Sequence, residues 1–145
     1  MKSTVCIIDT NVVVSGLITA NSTTPTTIIL DSMLDGRLLY LLSADLLTEY
    51  SSVLRRPRLA RMHGLTDEQL DRLLTELVAN AMWRESVSAV KAPDRGDDHL
   101  WALLASNPQA LLVTGDMMLL NDPPVERSVI SPRSLVDSFL RLDCP

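Results

Sequence analysis

Cys6-Ile7-Ile8-Asp9-Thr10-Asn11 runs an apolar stretch into a carboxylate and two polar side chains. With Thr4 and Val5 it reads as a buried strand from Thr4 to Asp9, since a short, unbroken Val/Ile-rich run suits a strand covered on both faces. Such strands build parallel sheets, and open parallel sheets bind ligands in the crevice outside the carboxyl ends of their strands. Two further phrases put acids where a strand gives way to a helix or turn. They are Asp94-Arg95-Gly96-Asp97-Asp98 and Val113-Thr114-Gly115-Asp116. A fourth acid, Glu49, falls on a helix between Asn11 and Asp94. Carboxylates gathered at one crevice repel one another and lose hydration. They persist when a cation joins them, usually Mg²⁺ or Mn²⁺ held by oxygen ligands. The pattern points to metal-dependent phosphodiester chemistry.

The rest of the chain alternates strand and helix signals. Asn11 to Leu17 can form a helix, interrupted near Gly16, and Asn21 to Pro25 is loop chemistry with a capping signal. A helix follows from Thr26 to Leu34, stopped by Gly36. Leu38 to Leu42 is a second strand. Ser43 suits the N-cap of a helix through Leu54, which Pro57 ends. Thr66-Asp67-Glu68-Gln69 is a capping box. Its helix reaches about Ala81 with Leu70, Leu73, Leu74, Leu77 and Val78 on one face. Trp83 to Val90 alternates loosely and reads as a strand. Asp97 opens a helix that Asn107-Pro108 ends. Ala110 to Thr114 and Ser128 to Ile130 are further strands, and Ser131-Pro132 starts the last helix with Pro at its first position. This order predicts one α/β domain over residues 1–145, a three-layer α/β/α sandwich around a mainly parallel sheet.

The 145 residues suffice for a sizeable core, and with 46% hydrophobic residues the chain is not disordered. Aromatics are scarce, so Leu, Val, Ile, Ala and Met must fill that core. Two cysteines, Cys6 and Cys144, make a poor disulfide framework and fit a reducing compartment. Asp9 interrupts the first apolar run too early for a signal peptide, and no run is long enough to span a membrane. A cytoplasmic protein is the expectation. The net charge of −5 runs against a polyanionic partner, but the basic residues are eleven Arg and two Lys, and four of the Arg fall in Arg55-Arg56-Pro57-Arg58-Leu59-Ala60-Arg61. Arg suits bidentate phosphate contact; equally, this segment reads as a solvated helix end with cations near the C-terminal dipole.

Each acid has a bland reading beside the functional one. Asp9 could simply cap a helix, and Asn11 could either orient that carboxylate or serve a turn. Glu49 lies beyond capping range in the helix from Ser43; alone it is a surface Glu, and Asp45, one turn earlier, competes with it. Asp97 and Asp98 lie about 100° apart around a helix axis, so both cannot face one site equally. His99 beside these acids reads as a surface residue. Thr114 can hydrogen-bond a carboxylate, and Gly115 permits a sharp turn before Asp116, itself either a ligand or a turn acid. With no His near a Cys or Ser in the pattern, covalent catalysis has no candidates.

At these residues the chain resembles the PIN-domain family of nucleases, in its bacterial branch of VapC-like toxins from toxin–antitoxin pairs. The resemblance rests on Ile8-Asp9-Thr10-Asn11, on Glu49-Tyr50 with Leu54-Arg55-Arg56-Pro57-Arg58 behind it, on Asp94 to Asp98 followed by Leu100, on Val113-Thr114-Gly115-Asp116 with Leu119-Leu120, and on Ile130-Ser131-Pro132-Arg133. It implies a parallel sheet flanked by helices and divalent ions, Mg²⁺ or Mn²⁺, bound by Asp9, Glu49, Asp97 and Asp116. Asp98 is the alternative to Asp97, because Arg95-Gly96 replaces the Pro and polar residue usual there. It implies RNA as substrate, with Arg55, Arg56 and Arg58 contacting it, an antitoxin partner and a homodimer. The apolar helices from Thr26 and Thr66 would supply the dimer surface. The residues alone say only phosphodiester. Removing charge by Asp9→Asn or Asp116→Asn is expected to leave the metal-free protein as stable or more so.

Other classes fit less well. A phosphatase with a nucleophilic Asp needs a second acid two residues on, where Asn11 stands. A receiver domain needs a late Lys, and the only lysines are Lys2 and Lys91. A catalytically inactive PIN-like module that binds RNA or protein is the remaining alternative. Retention of four clustered acids argues against it.

Overall fold

The computed structural model describes residues 4–19, 21–85, 98–121 and 129–140. Strand β1 (Val5–Ile8) leads through α1 (Thr10–Ile18) and α2 (Pro25–Leu34) to β2 (Leu39–Leu42). Helices α3 (Ala44–Leu54), α4 (Pro57–His63) and α5 (Asp67–Asn80) precede β3 (Met82–Trp83). Then come α6 (Asp98–Ser106), β4 (Leu111–Val113), α7 (Met117–Asn121), β5 (Val129–Ile130) and α8 (Pro132–Leu135), which runs on into a π-helical turn, Val136–Leu140.

The five strands form one sheet in the order β3-β2-β1-β4-β5, every neighbouring pair parallel. Cys6, Ile7 and Ile8 of β1 and Leu112 and Val113 of β4 are fully buried. A central strand buried on both faces must carry helices on both, which makes the expected α/β/α sandwich. The chain steps from β1 outward to β2 and β3, then returns to the far side of β1 for β4 and β5. The order therefore reverses between β1 and β4, and the crevice of an open α/β sheet lies outside the carboxyl ends at such a reversal. Those two ends carry Asp9 and Thr114 to Asp116. The register is Ile8 opposite Val113, and the Asp9 amide continues the ladder to the Val113 carbonyl at 3.0 Å.

Local chemistry sets the helix ends. Asp9 caps α1, accepting from the Thr10 amide. Ser43 caps α3, accepting from the Leu46 amide at 3.2 Å. Thr66 and Gln69 close a reciprocal capping box at α5, and Ser131 caps α8 with Pro132 behind it. Tyr50 fastens α3 to the sheet: fully buried, it donates its hydroxyl to the Ile8 carbonyl at the end of β1.

Four details depart from the sequence expectations. Pro57 does not merely end a helix; it occupies the first turn of α4, where its missing amide costs nothing. Helix α1 is not interrupted at Gly16. That glycine instead lets α2 approach, since a Cβ there would stand 2.6 Å from the Thr26 carbonyl oxygen and 3.0 Å from the Leu30 Cβ. Of the strand expected over Trp83 to Val90, pairing is seen at Met82–Trp83, and residues 86–90 lie outside the described ones. Finally, much of the apolar face expected to offer a dimer surface on the helices from Thr26 and Thr66 is spent inside the fold. Ile29, Leu30 and Met33 of α2, and Leu70 and Leu77 of α5, lie in the core.

Gly16→Ala tests the α1–α2 contact. In an isolated helix the change would help by about 1 kcal/mol. Here the obstacle is backbone that cannot rotate away, so a net loss of about 1–3 kcal/mol is expected in urea unfolding. Unchanged or increased stability would show that the two helices can separate freely.

Candidate active site

Asp9 stands where β1 meets α1, with only 5% of its surface exposed. Burying a carboxylate is costly unless donors replace its water. Three do so. The Thr10 amide donates to Oδ1 at 2.8 Å, and the Thr114 hydroxyl donates to Oδ2 at 2.7 Å. The Asn11 amide nitrogen adds a bond to Oδ2 at 3.2 Å and lies 3.3 Å from Thr114 Oγ1. Asn11 Oδ1 in turn accepts from the Gly115 amide at 3.2 Å, and Thr114 Oγ1 accepts from the Asp116 amide at 3.0 Å. Asn11 and Thr114 thus bind the start of α1 to the end of β4 around one carboxylate. Asp9 is both a helix cap and a crevice residue, so its two sequence readings coexist.

Asp9, Glu49 and Asp116 line a common cleft of about 410 Å³ with Thr10, Asn11 and Arg56. Asp45 is exposed and does not line it. Glu49 reaches the cleft from the second turn of α3, on the face next to the buried Tyr50. His99, in the first turn of α6, hydrogen-bonds the Glu49 carboxylate through Nε2 and is only 14% exposed. His99 is therefore not the surface residue that its acidic neighbours in the sequence suggest. The available signal was its place between Asp98 and the fully buried Leu100, which turns the start of α6 toward the interior. Asp94 and Asp97 lie outside the described residues, as does the side chain of Asp98, the first residue of α6.

The three arginines proposed for RNA contact separate. Arg55 is held against α5 by Asp67 at 3.2 Å and by Asp71. Arg56 lines the acidic cleft. Arg58 is exposed on α4. A larger groove of about 780 Å³ lies between α3 and α5, walled by Leu47, Leu74, Val78 and the Arg55–Asp71 pair. It is mainly apolar and gathers no carboxylate cluster, so chemistry and not size selects the smaller cleft.

Electrostatics drive the two central acids in opposite directions. Burial raises the pKa of Asp9 above the ordinary aspartate range; the bonds from Thr114 and Thr10 oppose this, and the charges of Glu49 and Asp116 add to the rise. Burial would also raise Glu49, but the His99 hydrogen bond and the charges of His99 and Arg56 bring it below the ordinary glutamate range. The donor set Asp9, Glu49 and Asp116 is all carboxylate oxygen, which fits a hard ion such as Mg²⁺ or Mn²⁺ better than a thiolate-seeking one. Among the described residues, no three Asp, Glu, His or Cys side chains stand together as a ready-made ligand set. The donor chemistry fits an ion; the arrangement leaves its coordination to be completed.

The family model described as PIN domain matches residues 5–118 of the chain, a span that includes Asp9, Glu49, Asp97, Asp98 and Asp116. No curated protein and no solved structure matches it.

The network revises the expectation for charge removal. Asp116→Asn removes a charge that raises Asp9, so the Asp9 pKa should fall in an NMR carboxyl titration and stability should stay within about 1 kcal/mol of the parent. Asp9→Asn instead turns one acceptor into a donor facing Thr114 and Asn11. It should cost about 1–3 kcal/mol. The pH signs follow from linkage. Asp9's contribution is most favourable when protonated and declines as pH rises through its raised pKa. Glu49's is present above the ordinary glutamate range and is lost as pH falls through its lowered pKa. An unmoved Asp9 titration in Asp116→Asn would contradict the proximity of the two acids.

Proposed function

The chain belongs to the PIN domain family, and we propose that it is a metal-dependent endoribonuclease, the toxin of a toxin–antitoxin pair. The observation that carries the nuclease reading is the convergence of Asp9, Glu49 and Asp116 on one cleft at the β1/β4 reversal. Asp9, Glu49, Asp116 and Asp97, with Asp98 as the alternative to Asp97, would hold Mg²⁺ or Mn²⁺. Such an ion, when bound, supplies Lewis-acid polarisation of a phosphoryl oxygen and makes water acidic enough to attack phosphorus.

The chain's own residues set the stage for that chemistry. Asn11 and Thr114 fix the orientation of Asp9. His99 keeps Glu49 directed and ionised, so one carboxylate is ready for a cation at pH values where Asp9 is still partly protonated. Ionised acids in the cleft can also accept a proton from attacking water. RNA as the substrate, an antitoxin that restrains the enzyme and a homodimer are supported by the resemblance of the sequence to VapC-like toxins, and a cytoplasmic setting by a cysteine content that fits a reducing compartment. Among the described residues no helix is long and apolar enough to cross a membrane.

Purified protein should cut single-stranded RNA with Mg²⁺ or Mn²⁺ and lose that activity in EDTA. Ca²⁺ should bind through the same oxygens with little turnover, because its looser coordination orients the attacking water poorly. Glu49→Gln and Asp116→Asn should each lower cleavage by about two orders of magnitude or more. Undiminished cleavage in EDTA would reject the metal mechanism. A soluble protein with no Mn²⁺ binding and no cleavage would favour the inactive binding module.

Expression without a partner should arrest growth of a bacterial host, and the Glu49→Gln variant should not. Harmless expression of an active nuclease would remove the toxin role and leave the enzyme assignment intact.

A further inference from the structure

We propose that Arg56 is the phosphate anchor of the cleft, holding the RNA backbone phosphate adjacent to the scissile one on the α3–α4 side. The inference deepens the nuclease reading and rests on it.

The backbone separates two adjacent arginines. Helix α3 ends at Leu54, Arg55 keeps a helical conformation at φ −89° and ψ −3°, and Arg56 is extended at φ −61° and ψ 136°. The junction is secured from beneath by His63, whose Nε2 lies 2.8 Å from the Leu54 carbonyl oxygen while its Nδ1 accepts from the Leu65 amide at 3.0 Å. Because the chain turns out of the helix between them, the side chains diverge. Arg55 bridges to Asp67 and Asp71 on α5, so its charge is spent inside the fold. Arg56 enters the wall of the cleft with Asp9, Glu49 and Asp116. It is exposed, and none of the ion pairs found among the described residues includes it.

Among the described residues, Arg56 is the cation lining a cleft otherwise charged by acids. A polyanion entering there meets repulsion on the Asp9–Asp116 side and attraction on the Arg56 side. A guanidinium offers a planar fork that matches phosphate geometry, and no bound carboxylate must first be displaced from it. Its influence on Glu49 indicates proximity to that acid, but charge tuning of Glu49 and contact with RNA make different predictions. Tuning would affect every RNA alike. A contact is felt at one phosphate.

The experiment measures binding, in Ca²⁺ to suppress turnover, of a single-stranded oligoribonucleotide that the protein cleaves. A series carries one uncharged methylphosphonate at each position in turn. Wild-type protein and the Arg56→Ala and Arg55→Ala variants are compared across the series. The assignment requires Arg56→Ala to weaken binding of the unmodified strand by about ten- to a hundredfold. It should also reduce the log–log salt slope by about 0.7, the share of one phosphate contact on a single strand. Its effect should vanish when the neutral linkage sits next to the scissile phosphate, and only there. Arg55→Ala should leave the positional pattern as in wild type and lower the melting temperature. An Arg56→Ala effect spread evenly over all positions, confined to the scissile phosphate, or absent overturns the assignment. RNA cleavage retained with no positional coupling rejects Arg56 alone. A wild-type protein that neither binds nor, with Mn²⁺, cuts any single-stranded RNA rejects the nuclease reading and the anchor with it.

Discussion

A carboxylate at the end of a fully buried strand is tolerable only if the fold brings donors to it, and the donors to Asp9 come from two places. The Thr10 amide and Asn11 belong to the start of α1, so they arrive with the chain. Thr114 belongs to the far end of β4 and arrives only if β4 pairs with β1 in the correct register. A slip by one residue would turn Thr114 to the opposite face of the sheet. Asp9 would then be buried without the shortest of its three donors, and the crevice would lose Asp116 as well. Strand register, the compensation of a buried charge and the assembly of the cleft are thus one condition.

The same burial acts on Glu49 with the opposite outcome. Both acids lose solvent, yet Asp9 is surrounded by neutral donors and two anions, whereas Glu49 has His99 and Arg56. Environments that push paired titratable groups apart assign them different roles. Glu49 offers a standing negative charge to a cation. Asp9 gives up its proton more readily once positive charge is nearby, so cation binding and ionisation of Asp9 reinforce each other. Tyr50 makes this division possible. Its hydroxyl ties α3 to the Ile8 carbonyl, one residue before Asp9, and Glu49 sits about 100° around the helix from it. The buried neighbour places the functional one.

What could be read from the sequence follows how local its cause is. The unbroken apolar run of β1, the capping box at Thr66 and the Ser43 and Ser131 caps depend on neighbours a few residues away, and they were legible. Asp9, Asn11, Thr114 and Asp116 were legible because strand ends are marked by the run that precedes them. Pro57 was ambiguous, since the same residue can follow one helix or begin the next. The short β3, helix α7 and the π-helical turn after α8 carry too few residues for any periodicity; packing makes them. His99 could not be recognised as a partner of Glu49, because fifty positions separate them in the chain. Nor could Arg55 and Arg56 be told apart, because what divides them is the turn out of helix after Leu54.

That division also answers the objection raised by the charge of the chain. A net charge of −5 counts every ionised group as if it faced the same solvent. Asp35 and Arg37 neutralise each other, Arg55 offsets one of the two α5 acids it bridges, and at close range such pairs contribute little field beyond a Debye length of about 10 Å. Among the described residues, the charged side chains that line the cleft are the carboxylates of Asp9, Glu49 and Asp116 and the guanidinium of Arg56. An anionic strand would then be received by a dipolar wall, repelled over one part and held over another. Divalent cations bound among the acids would offset most of the charge of the repelling part. The acidity of the chain and the acceptance of a polyanion are compatible because the acids that oppose binding are the same ones that recruit the cation.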